Sequence, residues 1–318
     1  MAVTISIIAL CYNHAAFLEE ALNSLTGLPE TVEVLIADDA SRDGSVEILR
    51  RWQQLRPDWY FLFHEENCGN CRTFNELLGK ASGQWILDFA TDDLLLTDRL
   101  LPWAEYASSQ TDCGFCYADA LIFHRKGGPV QLFSRGNKPG RFPDGRILHD
   151  LFFPGLICPP AVLFSKKALL EIGGYNEELS YEDMDCWLRI ARHYPVYRYP
   201  ESVILYRQHP GSMSAQIYQG RNQRHLHSTL QILGNILQWP EFQNPPPQLL
   251  SFIRYHLRLS FFLQLPAEAR QFHQLLDDAG DAGTTDRLLS IFSGHCPGIS
   301  EIYLLFREGR QQWRMRDI

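Results

Sequence analysis

Apolar and polar positions along the first third of the chain predict strands and helices in turn. Between four apolar runs, hydrophobic residues recur at helical spacing, as from Phe17 to Leu25. The β-α-β-α-β-α-β order predicts an α/β fold with a doubly wound parallel sheet and right-handed crossovers. Val3–Leu10 has the continuous hydrophobicity of a strand buried on both faces, and the other three predicted strands are Val32–Ala37, Trp59–His64 and Gln84–Phe89.

Polar residues between these runs predict where the helices begin. Asn13 is expected to cap the first helix, and Ser41 or Asp43 the second. Farther along, the pattern predicts a helix near Lys166–Ile172 and another that begins at the acidic segment Tyr181–Asp185.

The pattern changes after the first two hundred residues. Gly127–Pro154 is rich in Gly, Pro and Arg and predicts a long mobile loop. From about Ala215 the chain becomes helical, which predicts two domains, residues 1–215 and a helical C-terminal domain of residues 216–318. The predicted C-terminal helices are Ile217–Trp239, Gln248–Leu265, Ala267–Ala279, Thr284–Phe292 and Ile299–Trp313.

The net charge and hydropathy of the chain bear on whether it binds nucleic acid or a membrane. The 318 residues include 29 Lys and Arg against 37 Asp and Glu, a net charge of −8, which gives no bulk attraction to nucleic acid or an anionic membrane. No signal segment and no transmembrane span is predicted, so a cytoplasmic location is expected. The amphipathic C-terminal helices leave open a homodimer or peripheral attachment at the inner membrane face.

Eight cysteines are scattered along the chain, which favours reduced thiols. They include two Cys-x-x-Cys pairs, Cys68/Cys71 and Cys113/Cys116. The spacer between the pairs is longer than in most zinc sites, and the second pair begins a predicted strand. A structural zinc site formed by the two pairs is therefore not favoured.

Acidic pairs follow two of the predicted strands. Asp38-Asp39 ends the second strand and Asp92-Asp93 the fourth, and ligands of such sheets bind beyond the carboxyl ends of the strands. Glycine-rich dinucleotide and Walker-type motifs are absent. Two acidic pairs at one sheet edge would suit a nucleotide and a hard cation, Mg²⁺ or Mn²⁺, although either pair alone is also common before a helix.

Five segments, in order, make the chain resemble family 2 glycosyltransferases of the GT-A fold, including those of spore-coat polysaccharide type. The resemblance covers roughly residues 3–215 and implies a mostly parallel sheet flanked by helices. The segments are Ile7–Leu22, Val34–Ser45, Gly83–Leu101, Gly173–Arg192 and Tyr206–Ser214.

This resemblance implies a set of site residues. Asp39 would contact the base, Asp92 and Asp93 would bind Mn²⁺ or Mg²⁺ together with His209, and Asp183, next to Glu182, would be the catalytic base. His209 and the two acids at the helix start could equally be structural. The residues implied to bind the nucleotide are Leu10, Tyr12, Asn13, Asp38, Asp39, Asn67, Arg72 and Asp92.

The implied function is inverting, metal-dependent transfer of a sugar from a nucleotide sugar, UDP- or dTDP-linked, in surface polysaccharide synthesis. The acceptor would be a hydroxyl of a glycan or a lipid-linked saccharide. Ala90 departs from the family, because many members have an acid there that faces the ribose. The alternatives are a sugar-phosphate nucleotidyltransferase and an inactive glycosyltransferase-like scaffold.

Overall fold

The computed structural model describes residues 3–124, 128, 130–134, 142–212, 223–296 and 298–299. The chain forms two compact units, Met1–Gln208 and His209–Ile318. The division lies between Gln208 and His209, whereas the sequence places the domain boundary after residue 215.

The first unit is built on one mixed sheet in the order β3-β2-β1-β4-β8-β6-β9-β5, with β7 paired to β6. Strands β1 to β4 are parallel to one another, as predicted, and β8 runs antiparallel to β4. The predicted α/β class with a mostly parallel sheet is therefore confirmed. The strands are β1 (Ile5–Cys11), β2 (Val32–Asp38), β3 (Tyr60–Phe63), β4 (Trp85–Ala90), β5 (Leu94–Leu95), β6 (Phe115–Phe123), β7 (Gln131–Leu132), β8 (Val162–Ser165) and β9 (Val196–Arg207).

Helices connect and flank these strands. The side chains of β1 are almost all buried, because the strand lies inside the sheet between β2 and β4 and is covered on both faces. The helix predicted near Lys166–Ile172 is present. The helices of this unit are α1 (Ala15–Ser24), α2 (Ser45–Leu55), α3 (Asn70–Leu78), α4 (Thr97–Ser109), α5 (Lys166–Glu171) and α6 (Asp183–His193), with a 3₁₀ turn at Asp150–Phe152.

The helix starts differ from the expected caps. Asn13 does not cap α1: its backbone is left-handed, with φ of 57°, and its side-chain oxygen accepts from the backbone N–H of Arg42 at 2.8 Å. The cap comes from the next loop, because Asp43 accepts from the N–H of Ala15 at 2.9 Å. Asp43 also accepts from the N–H and hydroxyl of Ser45 at the start of α2. One carboxylate thus joins the starts of both helices.

The segment predicted as one long loop, Gly127–Pro154, is partly regular. Strand β7 pairs with β6, and the 3₁₀ turn Asp150–Phe152 buries Leu151 and Phe152. The apolar side chains of the segment form this regular structure, which its high content of Gly, Pro and Arg did not predict. Residues 127, 129 and 135–141 of the segment lie outside the described residues.

The second unit is helical, as its sequence predicts. Helices α7 (Gln223–Ile236), α8 (Pro247–Phe262), α9 (Pro266–Asp278) and α10 (Thr284–Phe292) form it, with a 3₁₀ turn at Pro240–Phe242. The start of the helix predicted over Ile217–Trp239, and nearly all of Ile299–Trp313, lie outside the described residues. None of the helices described is both long and apolar enough to cross a membrane.

Candidate active site

The carboxyl ends of β1, β2 and β4 lie side by side and carry the predicted site residues. In the sheet register, Cys11 of β1 pairs with Asp38 of β2, and Leu10 pairs with Ala90 of β4. The acidic pairs that follow β2 and β4 therefore flank the end of β1 on its two sides. Thr91 closes the gap between the strands, since its N–H and hydroxyl both donate to the carbonyl of Leu10.

The loops after β1 and β2 are joined to each other. The N–H of Asn13 donates to the hydroxyl of Ser41 at 2.9 Å, and the N–H of Ser41 donates to Asp38 Oδ1 at 2.9 Å. Asp38 is fully buried, and its Oδ2 has no hydrogen-bond partner among the described residues. These bonds fix the backbone beside Tyr12, whose ring remains 45% exposed.

The Asp39 carboxylate organises the loop after β3. Its Oδ1 accepts from the N–H of Cys68 at 2.7 Å and contacts His64 Nδ1 at 3.0 Å, while Oδ2 accepts from the N–H of Gly69 at 2.9 Å. Gly69 adopts φ of 87°, which a residue with a side chain rarely takes. Asn67 donates to the backbone carbonyl of Asp39 at 3.1 Å, so the loop is bound to both the side chain and the backbone of Asp39.

A polar cavity of about 500 Å³ opens between these loops. It brings together Tyr12, Asp38 and Asn67 of the predicted nucleotide-binding residues. The other five do not line it, and Arg72 is on the exposed surface of α3; the five are Leu10, Asn13, Asp39, Arg72 and Asp92. Two arginines of α2 and the loop before it supply positive charge. The lining residues are Tyr12, Asp38, Ala40, Ser41, Arg42, Val46, Arg50, Phe63, His64, Glu65, Glu66 and Asn67.

Asp92 and Asp93 are buried in the turn between β4 and β5. Asp93 Oδ1 accepts from the backbone N–H of Arg207 at 2.7 Å, and Oδ2 has no hydrogen-bond partner in the described part of the chain. Burial, together with the charge of Asp92, raises the pKa of Asp93 well above its usual range. Carboxylate oxygens are hard ligands. Asp93 Oδ2, together with the neighbouring carboxylate of Asp92, therefore fits a divalent cation such as Mg²⁺ or Mn²⁺.

Arg207, at the end of β9, holds this turn in place and is absent from the residues predicted from the sequence. Its guanidinium donates to the carbonyl of Asp92 at 2.7 Å, pairs with Glu20 at 2.8 Å and lies over the rings of Phe17 and Phe123. The side chain is 5% exposed. Its position at the end of a strand with many apolar residues could have marked Arg207 as a candidate. Its partners lie too far away in sequence to be inferred.

His209 is the first residue of the second unit. Its distance from Asp92 and Asp93 is therefore not defined, and its part in binding a metal stays a prediction.

Glu182 and Asp183 lie at the start of α6, next to a third acid, Asp88 of β4. Burial raises the pKa of Asp88 to about 7 and, with the charges of Asp183 and Asp88 beside it, that of Glu182 to about 8. Burial also raises the pKa of Asp183. The group therefore retains at least one proton near neutral pH, and the pKa of Glu182 makes it the main holder of that proton.

A network from α3 and α6 fixes the loop that precedes these acids. Asn75 donates to the carbonyl of Tyr175 at 2.9 Å and accepts from its N–H at 2.8 Å, and Arg189 donates to the carbonyl of Gly174 at 2.8 Å. A side chain on Gly174 would collide with Asn75. The hydroxyl of Tyr175 thereby reaches Asp88 and donates to it at 2.8 Å.

The chain is similar to known proteins in its sequence. Residues 6–152 match the model for the family described as Glycosyl transferase family 2. A Bacillus subtilis protein named for teichuronic acid biosynthesis, the glycosyltransferase TuaG, is 25% identical over 130 residues, which are 41% of this chain and 51% of TuaG. The chain thus spans about half the length of this relative.

Solved structures share the fold. Staphylococcus aureus TarS 1–349, in complex with UDP-GlcNAc, has a TM-score of 0.65 at 18% identity. The alignment covers 96% of this chain and 92% of the TarS chain. The mannosyltransferase PcManGT of Pyrobaculum calidifontis, in complex with GDP-Man and Mn²⁺, has a TM-score of 0.56 at 19% identity, over 99% and 88% of the two chains. Residues 6–152 therefore match family 2 glycosyltransferases in sequence, and the chain shares the GT-A fold of these solved structures.

Proposed function

We propose that the chain is an inverting, metal-dependent glycosyltransferase that uses a UDP- or dTDP-linked sugar. The proposal rests on the position of the two acidic pairs, at the ends of β2 and β4 on either side of β1, and on the polar cavity that Asp38 lines. One pair can recognise the nucleoside while the other holds a cation at the diphosphate. The relative bound to UDP-GlcNAc supports the class of donor.

The nucleoside would occupy the cavity lined by Tyr12, Asp38 and Asn67. Asp39 already accepts three contacts from the loop after β3, which leaves one lone-pair direction on Oδ2 for an N–H of the base. Leu10 and Asn13 would contribute through the backbone of the same loops. Arg72 stays a proposed contact to the phosphates, and His209 a proposed further contact to the metal or the diphosphate.

Asp92 and Asp93 would hold Mn²⁺ or Mg²⁺. A bound cation would supply positive charge to the diphosphate as it leaves. The solved structure with GDP-Man and Mn²⁺ supports the use of a divalent cation. Arg207 would keep both acids in position, because it contacts the turn at the carbonyl of Asp92 and at Oδ1 of Asp93.

Asp183 would be the catalytic base. The acceptor oxygen forms a bond to the anomeric carbon, the bond from that carbon to the diphosphate breaks, and Asp183 takes the hydroxyl proton. Because the pKa of Glu182 is raised to about 8, Glu182 is mainly protonated at neutral pH, which favours Asp183 rather than Glu182 as the base.

The acceptor would be a glycan or lipid-linked saccharide of a bacterial-type surface polysaccharide, which the relative named for teichuronic acid biosynthesis supports. A cytoplasmic enzyme, working alone or as a dimer through its C-terminal helices at the inner membrane face, would have access to both substrates.

A thermal-shift screen tests the proposal, with nucleoside diphosphates and nucleotide sugars in the presence and absence of Mn²⁺. We expect UDP or dTDP compounds to raise the melting temperature, and Mn²⁺ to enlarge the rise. Stabilisation by a nucleoside triphosphate and a sugar phosphate instead would favour a nucleotidyltransferase. Binding without transfer to any acceptor would favour an inactive scaffold.

A further inference from the structure

A second group of ligating atoms lies apart from Asp92 and Asp93. A carboxylate oxygen of Asp39, Nδ1 of His64 and Sγ of Cys68 all lie within 4.8 Å of one another. The residues stand at the end of β2, just after β3 and in the loop that follows. Within the described residues, no other group of three or more His, Cys, Asp or Glu side chains is this close.

Oxygen, nitrogen and sulfur together select a particular class of metal. A thiolate is a poor ligand for Mg²⁺ or Mn²⁺ and a good one for Zn²⁺, which also accepts imidazole and carboxylate. An ionised Asp39 and Cys68 would neutralise the two charges of Zn²⁺. Ligands of tetrahedral zinc lie about 3–4 Å from one another, so only a small contraction would complete the site.

The outer contacts of the site are already made. Glu76 of α3 contacts His64 Nε2 at 3.0 Å, which turns Nδ1 towards Asp39. A histidine that binds zinc usually donates its second N–H to a carboxylate in this way. The N–H groups of Cys68 and Gly69 hold the Asp39 carboxylate from the other side. Two of the three ligands are thus oriented without the metal.

The third ligand is free to rotate. Cys68 is partly exposed, and its thiol makes one weak contact to the carbonyl of Glu66 at 3.5 Å. His64 lines the cavity, which gives an ion a route from solvent. Nδ1 of His64 and Oδ1 of Asp39 are 3.0 Å apart, so both already face the position that a shared cation would take.

We propose that Asp39, His64 and Cys68 form a site for Zn²⁺, with water as the fourth ligand and Glu76 as the outer partner of His64. The site differs from the Asp92/Asp93 site in its sulfur and nitrogen ligands, so the two select different metals. If Asp39 also contacts the base, as proposed above, zinc and uridine compete for it.

The test uses Co²⁺ as a spectroscopic substitute for Zn²⁺ on the reduced, full-length chain. A cobalt–thiolate bond produces a strong near-ultraviolet charge-transfer band that oxygen ligands do not give. We expect this band with wild type, its displacement by Zn²⁺, and its loss in Cys68→Ser. Glu76→Gln should weaken Zn²⁺ binding about 10–100-fold, as expected for the outer partner of a ligating histidine.

Cys296→Ser is the matched control, because Cys296 is the other cysteine that is not buried and it too contacts a backbone carbonyl. The proposal is overturned if wild type gives no band, or if the band survives Cys68→Ser. Loss of the band in Asp92→Asn would place the metal at the other site and also overturn it. The band does not depend on nucleotide, so a failure of the proposed function would leave it unchanged.

Discussion

The guanidinium of Arg207 donates to the backbone carbonyl of Asp92 across 115 residues of sequence, at a distance of 2.7 Å. The same residue's N–H holds the carboxylate of Asp93. Because Arg207 is itself fixed by Glu20 and by two aromatic rings, the turn with the acidic pair is attached to both β9 and α1. The position of the proposed cation site therefore depends on a residue that would not touch the cation.

Arg207→Lys keeps the charge but not the separate donors that reach Asp92 and Glu20. A hydrogen bond from a charged group is worth about 1.5–3 kcal/mol, so Mn²⁺-dependent UDP affinity should fall about tenfold or more while uridine affinity remains. Calorimetry measures the two affinities separately, with UDP and Mn²⁺ in one titration and with uridine in the other. Arg99→Lys is the control, since Arg99 also contacts a carbonyl and a glutamate, Ser202 and Glu201, but at the surface. Equal loss of both ligands would indicate general damage to the fold.

Asp39→Ala should weaken binding of uridine and UDP alike, because the proposed contact is to the base and because the loop after β3 loses its anchor. Titration with the two ligands, with and without Mn²⁺, tests this. Glu47→Gln removes a charge from the exposed surface of α2 and should change neither affinity. A variant that loses only UDP would place Asp39 at the diphosphate.

Asp183→Asn should reduce turnover about 10²–10⁴-fold and leave donor affinity and metal dependence near wild type, because a positioned general base contributes about that factor. Glu182→Gln should be milder, since at neutral pH Glu182 is mainly protonated. Asp185→Asn is the control: it is bonded to Arg189 of the same helix and should lower stability more than turnover. An inactive Glu182→Gln with an active Asp183→Asn would exchange the two roles.

Asp88 makes stability depend on pH. Its pKa is raised to about 7 in the folded chain, so the folded state binds this proton more tightly than the unfolded state does. Its contribution is complete below about pH 4 and is lost as the pH rises through 7, at about 1.4 kcal/mol per pH unit within that window. Asp88→Asn should therefore be more stable than wild type at pH 8, by a margin that shrinks towards pH 5.

Urea unfolding at several pH values measures this margin. Asp98→Asn, at an exposed position of α4, should show no such trend. A constant difference between Asp88→Asn and wild type at every pH would mean that Asp88 is ionised in the folded chain.

The strands and their acidic ends could be predicted because they depend on local pattern. A strand buried on both faces needs a continuous apolar run, and the first polar residues after it mark its end. The cap of α1 could not be predicted, because Asp43 supplies it from 28 residues away and displaces the nearer Asn13. Arg207 and Glu20 are 187 residues apart, and no periodicity connects them. Side chains that link separate loops are determined by the packed sheet rather than by their neighbours in sequence.

Calorimetric titration with UDP, with and without Mn²⁺, should separate the wild-type chain from Asp92→Asn. Removing one carboxylate from a hard-cation site leaves the diphosphate charge uncompensated. We predict that Mn²⁺ strengthens UDP binding to wild type and has no effect on Asp92→Asn, which should retain uridine affinity and its fold. Equal Mn²⁺-dependent affinity for UDP in the two proteins would contradict the assignment of Asp92 and the metal-dependent mechanism built on it.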